Sequence, residues 1–120
     1  HLESEEQAAL IQWMAFDMNR YPELKWLYAI PNDIRTTPQR AARAKAMGMR
    51  AGIADLCLPV PRGTYHGFYI EMKSEKGILS SAQRDFLQFV KSVGYKTGVY
   101  RSAAEAREKI LAYLSETITK

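Results

Sequence analysis

Gly52-Ile53-Ala54-Asp55 opens one apolar run and Tyr69-Ile70-Glu71-Met72-Lys73 closes another, with Glu71 sixteen positions after Asp55. In a β-strand successive side chains alternate faces, so Glu71 and Lys73 share one face while Ile70 and Met72 point into the core. The segments 53–60 and 65–72 are both extended in pattern. Pro59-Val60-Pro61-Arg62-Gly63-Thr64 joins them and reads as an irregular hairpin loop. If the two strands pair across it, Asp55 joins Glu71 and Lys73. Two carboxylates converging beside a lysine suit a hard divalent cation with a positive charge next to it, the chemistry of metal-assisted phosphodiester hydrolysis.

The rest of the chain is built around that hairpin. Residues 4–18 read as an amphipathic helix with Ser4 as N-cap, Glu5 and Glu6 in the first turn, and Leu10, Ile11, Met14 and Met18 at helical spacing. Carried back four residues, this stripe lands on Glu6 and Gln7, so Glu6 belongs at the rim of the buried face and Glu5 does not. Residues 26–30 predict a first strand closed by Pro31-Asn32-Asp33, and Pro38 starts a helix that Gly48 ends. Ser80 or Ser81 caps a helix with a Phe86, Leu87, Phe89, Val90 and Val93 stripe, and Gly94 ends it. Residues 95–100 form a strand, and residues 102–115 a last helix with Ala103, Ala106, Ile110 and Tyr113/Leu114 inward. The expected order is α, β, α, β, β, α, β, α in a single domain spanning 1–120.

With 47% hydrophobic and 25% charged residues the chain reads as an ordinary globular protein, not a disordered one. A net charge of +4 permits a polyanionic partner, and its distribution matters more than its size. Between Asp33 and Asp55 stand Arg35, Arg40, Arg43, Lys45 and Arg50 without a single acid. Arg35, Arg40, Arg43 and Arg50 are therefore candidates for phosphate contact, with Lys76 a weaker one. A solvated basic helix face is the alternative. Cys57 is the only cysteine, which excludes an internal disulfide and fits a reducing, intracellular setting. No stretch has the length of a transmembrane helix, and the acidic opening is unlike a signal peptide.

Five blocks in order, Glu6-Gln7, Ile30-Pro31-Asn32, Gly52-Ile53-Ala54-Asp55, Tyr69-Ile70-Glu71-Met72-Lys73 and Leu79-Ser80-Ser81-Ala82-Gln83, resemble the stand-alone VRR-NUC domains of phages and bacteria. These belong to the PD-(D/E)xK nuclease superfamily. The resemblance implies an α/β restriction-endonuclease-like core, a central mixed sheet flanked by helices, and a nuclease dependent on Mg²⁺ or Mn²⁺. It implies that Asp55, Glu71 and the Met72 carbonyl hold the metal, that Lys73 orients or deprotonates the attacking water and stabilises the phosphorane, that Glu6 reaches the metal directly or through water, and that Gln83 lies near the site. The proline that usually precedes the aspartate is Ala54 here, which frees the backbone ahead of Asp55. Compact relatives resemble Holliday junction resolvases and act as homodimers. The resemblance thus implies branched double-stranded DNA as substrate, a second copy of the chain as partner, and a cytoplasmic location, that of the bacterial host if the chain is phage-encoded.

Simpler readings stand beside these. Glu71 and Lys73 also suit a surface ion pair, and Gln83, three residues after Ser80, also completes a capping box. His66 reads as a surface histidine, since metal-assisted hydrolysis needs no general base of that kind. Trp13 and Trp26, with Phe16 and Tyr21, read as core or dimer-interface aromatics in preference to base-stacking platforms. Competing activities are less selective flap or single-strand cleavage, and binding of nucleic acid without catalysis.

Overall fold

The computed structural model describes residues 3–31 and 37–119. Helix α1 (Glu3–Asp17) is followed by a 3₁₀ turn (Pro22–Trp26), β1 (Tyr28–Ala29), α2 (Pro38–Ala46), β2 (Leu56–Leu58), β3 (Phe68–Met72), α3 (Ser81–Ser92), β4 (Lys96–Tyr100) and α4 (Ala103–Leu114). The fold is α/β with the expected element order. The strands form one mixed sheet in the order β1-β2-β3-β4, with β1, β2 and β3 antiparallel in succession and β3 parallel to β4.

Several local expectations are corrected. Of the first helix's apolar stripe only Leu10 and Met14 are buried, while Ile11 and Met18 are exposed, and the extended segments 53–60 and 65–72 shorten to β2 and β3. Residues 26–30 do not form one strand: Pro22 at the start of a 3₁₀ turn draws Trp26 into it, leaving two residues for β1. Ser4 lies inside the first turn of α1 and is not its cap. Phe89 and Val93 are exposed, because only Leu87 and Val90 of α3 are buried.

Pairing fixes which side chains share a face. Leu56 faces Ile70 and Leu58 faces Phe68 across the hairpin. These residues, with Met72, pack against Leu10 and Met14 of α1 and against Ala106, Ile110 and Tyr113 of α4. The Phe68 and Tyr113 rings lie 5.0 Å apart, and the Tyr113 hydroxyl donates to the Val60 carbonyl at 2.5 Å. A bidentate pair joins α1 to α4: the Arg107 guanidinium donates to both Asp17 oxygens at 2.8 and 2.7 Å. Those hydrogen bonds hold the Asp17 carboxyl below its usual range and offset its position at the negative end of a helix.

The opposite face carries Cys57, Tyr69 and Glu71, and α3 covers part of it. Phe86 of α3 meets Tyr69 edge to face at 5.2 Å. Both faces of β3 are therefore buried, so Glu71 and Lys73 do not lie on an open surface: Glu71 is 1% exposed and Lys73 9%. The buried Cys57 thiol is pushed up by desolvation, with a smaller pull downward from Tyr28 and Tyr69.

A candidate active site beneath the start of α3

Gly52 begins the approach to the site. Its φ of +84° suits glycine, and a Cβ there would stand 2.6 Å from Ala82 Cβ and 2.8 Å from its carbonyl carbon. The loop before Asp55 is thus laid directly on the first turn of α3. Ile30 N–H donates to the Asp55 carbonyl at 2.8 Å, continuing the β1–β2 pairing by one residue.

Asp55 and Glu71 meet where β2 begins and β3 ends. The Asp55 N–H donates to Glu71 Oε1 at 3.1 Å, and the Met72 N–H donates to Asp55 Oδ2 at 2.7 Å. Gln83 Nε2 donates to Glu71 Oε2 at 2.7 Å, while its Oε1 accepts from Ser80 N–H at 2.8 Å. Gln83 thus fills both roles that its position suggests: it completes the capping box of α3 and binds a site carboxylate. Burial, with Asp55 alongside, pushes the Glu71 carboxyl up to about 8, against a smaller pull downward from Lys73.

Lys73 follows β3 on the Glu71 side, its N–H bonded to the Tyr100 carbonyl at 2.9 Å. Glu6 is half-buried, as its register predicts. Its Oε1 accepts from Ala103 N–H at 2.9 Å at the start of α4. Among the described residues no group of three His, Cys, Asp or Glu side chains converges. The donor set at the site is thus two carboxylates plus backbone oxygen. This suits Mg²⁺ or Mn²⁺, which bind through one or two carboxylates and complete their shell with water and substrate phosphate.

The basic segment lies apart from the packed core. Helix α2 buries no side chain, and Arg40 and Arg43 are exposed along it. The Arg50 guanidinium turns back on the Lys45 and Met49 carbonyls at 3.4 and 3.3 Å, so it also supports the end of α2. An open hollow of about 330 Å³ lies between α2 and β1, lined by Ile30, Pro31, Met47, Gly48, Met49, Arg50 and Ile53. It adjoins the Asp55 loop through Ile53. Lys76 is exposed in the turn after Lys73, and Arg35 lies outside the described residues. His66 is exposed near the other end of β3, edge to face with Tyr95 at 5.7 Å. The Gly52–Ala82 contact was not foreseen; the only sequence signal for it is that both positions hold the smallest residues.

The VRR-NUC domain family matches residues 2–104. A solved structure described as a VRR_NUC domain protein aligns at a TM-score of 0.83 and 24% identity, covering all of this chain and 93% of that one. No curated protein matches. The chain belongs to the VRR-NUC family and has its restriction-endonuclease-like fold.

Proposed function

We propose that this VRR-NUC chain, a nuclease domain of the PD-(D/E)xK type, is a metal-dependent endonuclease that cuts four-way junctions or related branched DNA. The observation that carries the reading is the Asp55–Glu71 pair, Glu71 bonded to the Asp55 N–H and Asp55 to the Met72 N–H beneath α3, with the Lys73 charge near enough to act on Glu71. A buried carboxylate and a half-buried one this close repel when both ionise, and a divalent cation is the natural compensation.

Asp55, Glu71 and the Met72 carbonyl would hold that ion; Glu6, whose carboxylate accepts from the Ala103 N–H, would reach it only through water from the rim. When bound, the metal supplies a Lewis acid for the phosphodiester and acidifies a water. The chain's own residues do the rest. Gln83 and the Asp55 N–H fix both Glu71 oxygens, so the carboxylate keeps its direction when substrate arrives. Lys73 brings a positive charge to the face where the scissile phosphate gathers negative charge, and orients the attacking water. Arg35, Arg40, Arg43 and Arg50, with Lys76, contact phosphates and read no base. A two-fold homodimer presents two such sites to the symmetrical strands of a junction.

The test is cleavage of labelled four-way junction, flap and single-stranded DNA with and without Mg²⁺ or Mn²⁺. Asp55→Asn, Glu71→Gln and Lys73→Ala should each lose at least about 100-fold in rate while remaining folded and DNA-bound. Near-wild-type cleavage by Lys73→Ala would overturn the mechanism.

A further inference from the structure

Beyond the carboxylates, the turn that follows Lys73 is held by a residue that the family blocks do not include. Ser74–Gly77 closes through a Gly77 N–H to Ser74 carbonyl bond at 3.0 Å. The carbonyls at both ends of the turn converge on a single nitrogen: Arg101 Nη1 donates to Ser74 O at 2.8 Å and to Gly77 O at 2.5 Å. Arg101 directly follows Tyr100, whose carbonyl already accepts the Lys73 N–H. Its own backbone N–H is bonded to Glu105 Oε1 in the first turn of α4 at 3.1 Å. The end of β4, braced by the first turn of α4, thus holds the chain at Lys73 and in the turn after it.

The turn folds back onto the lysine. A Cβ at Gly77 would stand 3.4 Å from Lys73 Cδ and 2.8 Å from Ser74 Oγ, so the turn lies against the aliphatic stem, and a methyl there would displace the Ser74 hydroxyl and press on the lysine. Lysine has four rotatable side-chain bonds, and a buried stem flanked at Cδ by the turn loses part of the freedom that would blur where its ammonium points.

We propose that Arg101 is a positioning residue for Lys73: by clamping the Ser74–Gly77 turn onto the lysine stem, it sets the direction of the ammonium toward Asp55 and Glu71. The role rests on the nuclease reading for its consequence in catalysis, though not for its geometry. An exposed guanidinium beside a nuclease site also suits a direct phosphate contact, and the two roles separate experimentally.

The first measurement needs no activity. In protein carrying ¹³Cε-labelled lysine, the Lys73 signal is identified by its loss in Lys73→Arg. Arg101→Met and Gly77→Ala should each shift and broaden that signal, and Arg101→Lys, whose ammonium can still donate to the two carbonyls, should restore much of it. A Lys73 signal unmoved in Arg101→Met overturns the proposal. The second measurement is single-turnover junction cleavage at saturating protein, with DNA affinity measured in parallel. Positioning predicts a rate constant reduced by about 10- to 100-fold with affinity within about twofold. Weakened affinity and a smaller salt slope with an unchanged rate constant would make Arg101 a phosphate contact and overturn the proposal. If the wild type cuts no DNA, the nuclease reading fails, and the lysine signal still decides whether Arg101 positions Lys73.

Discussion

Asp55 and Glu71 are bound to each other's strand: Asp55 donates its backbone N–H to Glu71 Oε1, and the Asp55 carboxylate accepts from the N–H of Met72. Neither carboxylate can turn away without breaking a hydrogen bond at the junction of β2 and β3. The site is therefore built by strand pairing, and its charge repulsion is built in with it.

Burial of Glu71, with Asp55 beside it, sets a pH dependence. Glu71 is pushed from 4.5 up to about 8, so the folded protein takes up a proton that the unfolded chain releases. Stabilisation from this proton is complete below about 4.5 and is lost as pH rises through about 8. Metal-free protein should lose on the order of a few kcal/mol of stability across this window. Glu71→Gln should abolish most of the slope. Mg²⁺ or Mn²⁺ should flatten it, because a cation takes the proton's place. Thermal midpoints from pH 5 to 9, with and without metal, check this, and a slope identical in Glu71→Gln would assign it to other groups.

Gln83 joins the α3 cap to Glu71, so its variants separate two effects. Gln83→Ala removes the reciprocal cap bond and leaves Glu71 Oε2 without its donor, costing about 1–3 kcal/mol. Gln83→Glu keeps a cap acceptor yet sets a third carboxyl beside Glu71. Its metal-free form should be less stable than the wild type at pH 8 and should gain more in thermal midpoint on adding Mg²⁺. Equal gains in both proteins would place the cation away from Glu71.

Gly52→Ala should be costly for two reasons, the positive φ and the collision with Ala82. A loss of about 2 kcal/mol or more is expected in chemical denaturation. Ala82→Gly should rescue it only in part, because the Ala82 carbonyl carbon and oxygen, at 2.8 and 3.0 Å from the added Cβ, remain. Activity should fall further than stability, since the displaced loop carries Asp55.

The hairpin, the α3 cap and the α4 stripe were legible because each rests on local signals: alternation into Asp55 and Glu71, Ser80 with Gln83, and Ala103, Ala106 and Ile110 at helical spacing. Other features depend on partners distant in the chain. Phe89 and Val93 continue an apolar pattern along α3, yet the helix meets the sheet through Leu87 and Val90. Glu6 reads as a rim acid from its register, but that its carboxylate meets the start of α4 depends on how α1 crosses α4. The Gly52–Ala82 approach likewise joins two segments that no local pattern relates. The candidate site residues stand out because carboxylates are costly to bury, and an apolar strand that carries Glu71 and runs into Lys73 conflicts with ordinary core composition.

Binding to branched DNA should weaken steeply with salt, since phosphate contacts release counterions. Removing both charges in Arg40→Ala/Arg43→Ala should lower the log–log slope by about two units without changing preference among sequences. Arg50→Ala should act on stability as well, because its guanidinium also holds the Lys45 and Met49 carbonyls. Unchanged slope and affinity in the double variant would put the DNA path on another face.

Assembly decides whether paired incision is possible. One domain carries one Asp55–Glu71 site, whereas resolving a four-way junction takes two symmetrical cuts before the DNA is released. The surface of α1 and the 3₁₀ turn leaves Phe16 72%, Trp26 59% and Trp13 41% exposed, more aromatic area than an isolated small domain ordinarily leaves in water. Tyr21 does not join them, since its hydroxyl is bonded to Ser115 and its ring packs on the core. An isologous contact built on Trp13, Phe16 and Trp26 would bury these rings and set two sites at fixed separation. Sedimentation at micromolar concentration should give a mass near twice 13.7 kDa, and Phe16→Asp with Trp26→Asp should reduce it to the monomer. That variant should retain single-strand nicking but lose coordinated cutting of both junction strands. A wild-type monomer that nicks junctions one strand at a time would instead move the activity to flap or single-strand cleavage, because nothing would then hold two sites on one substrate.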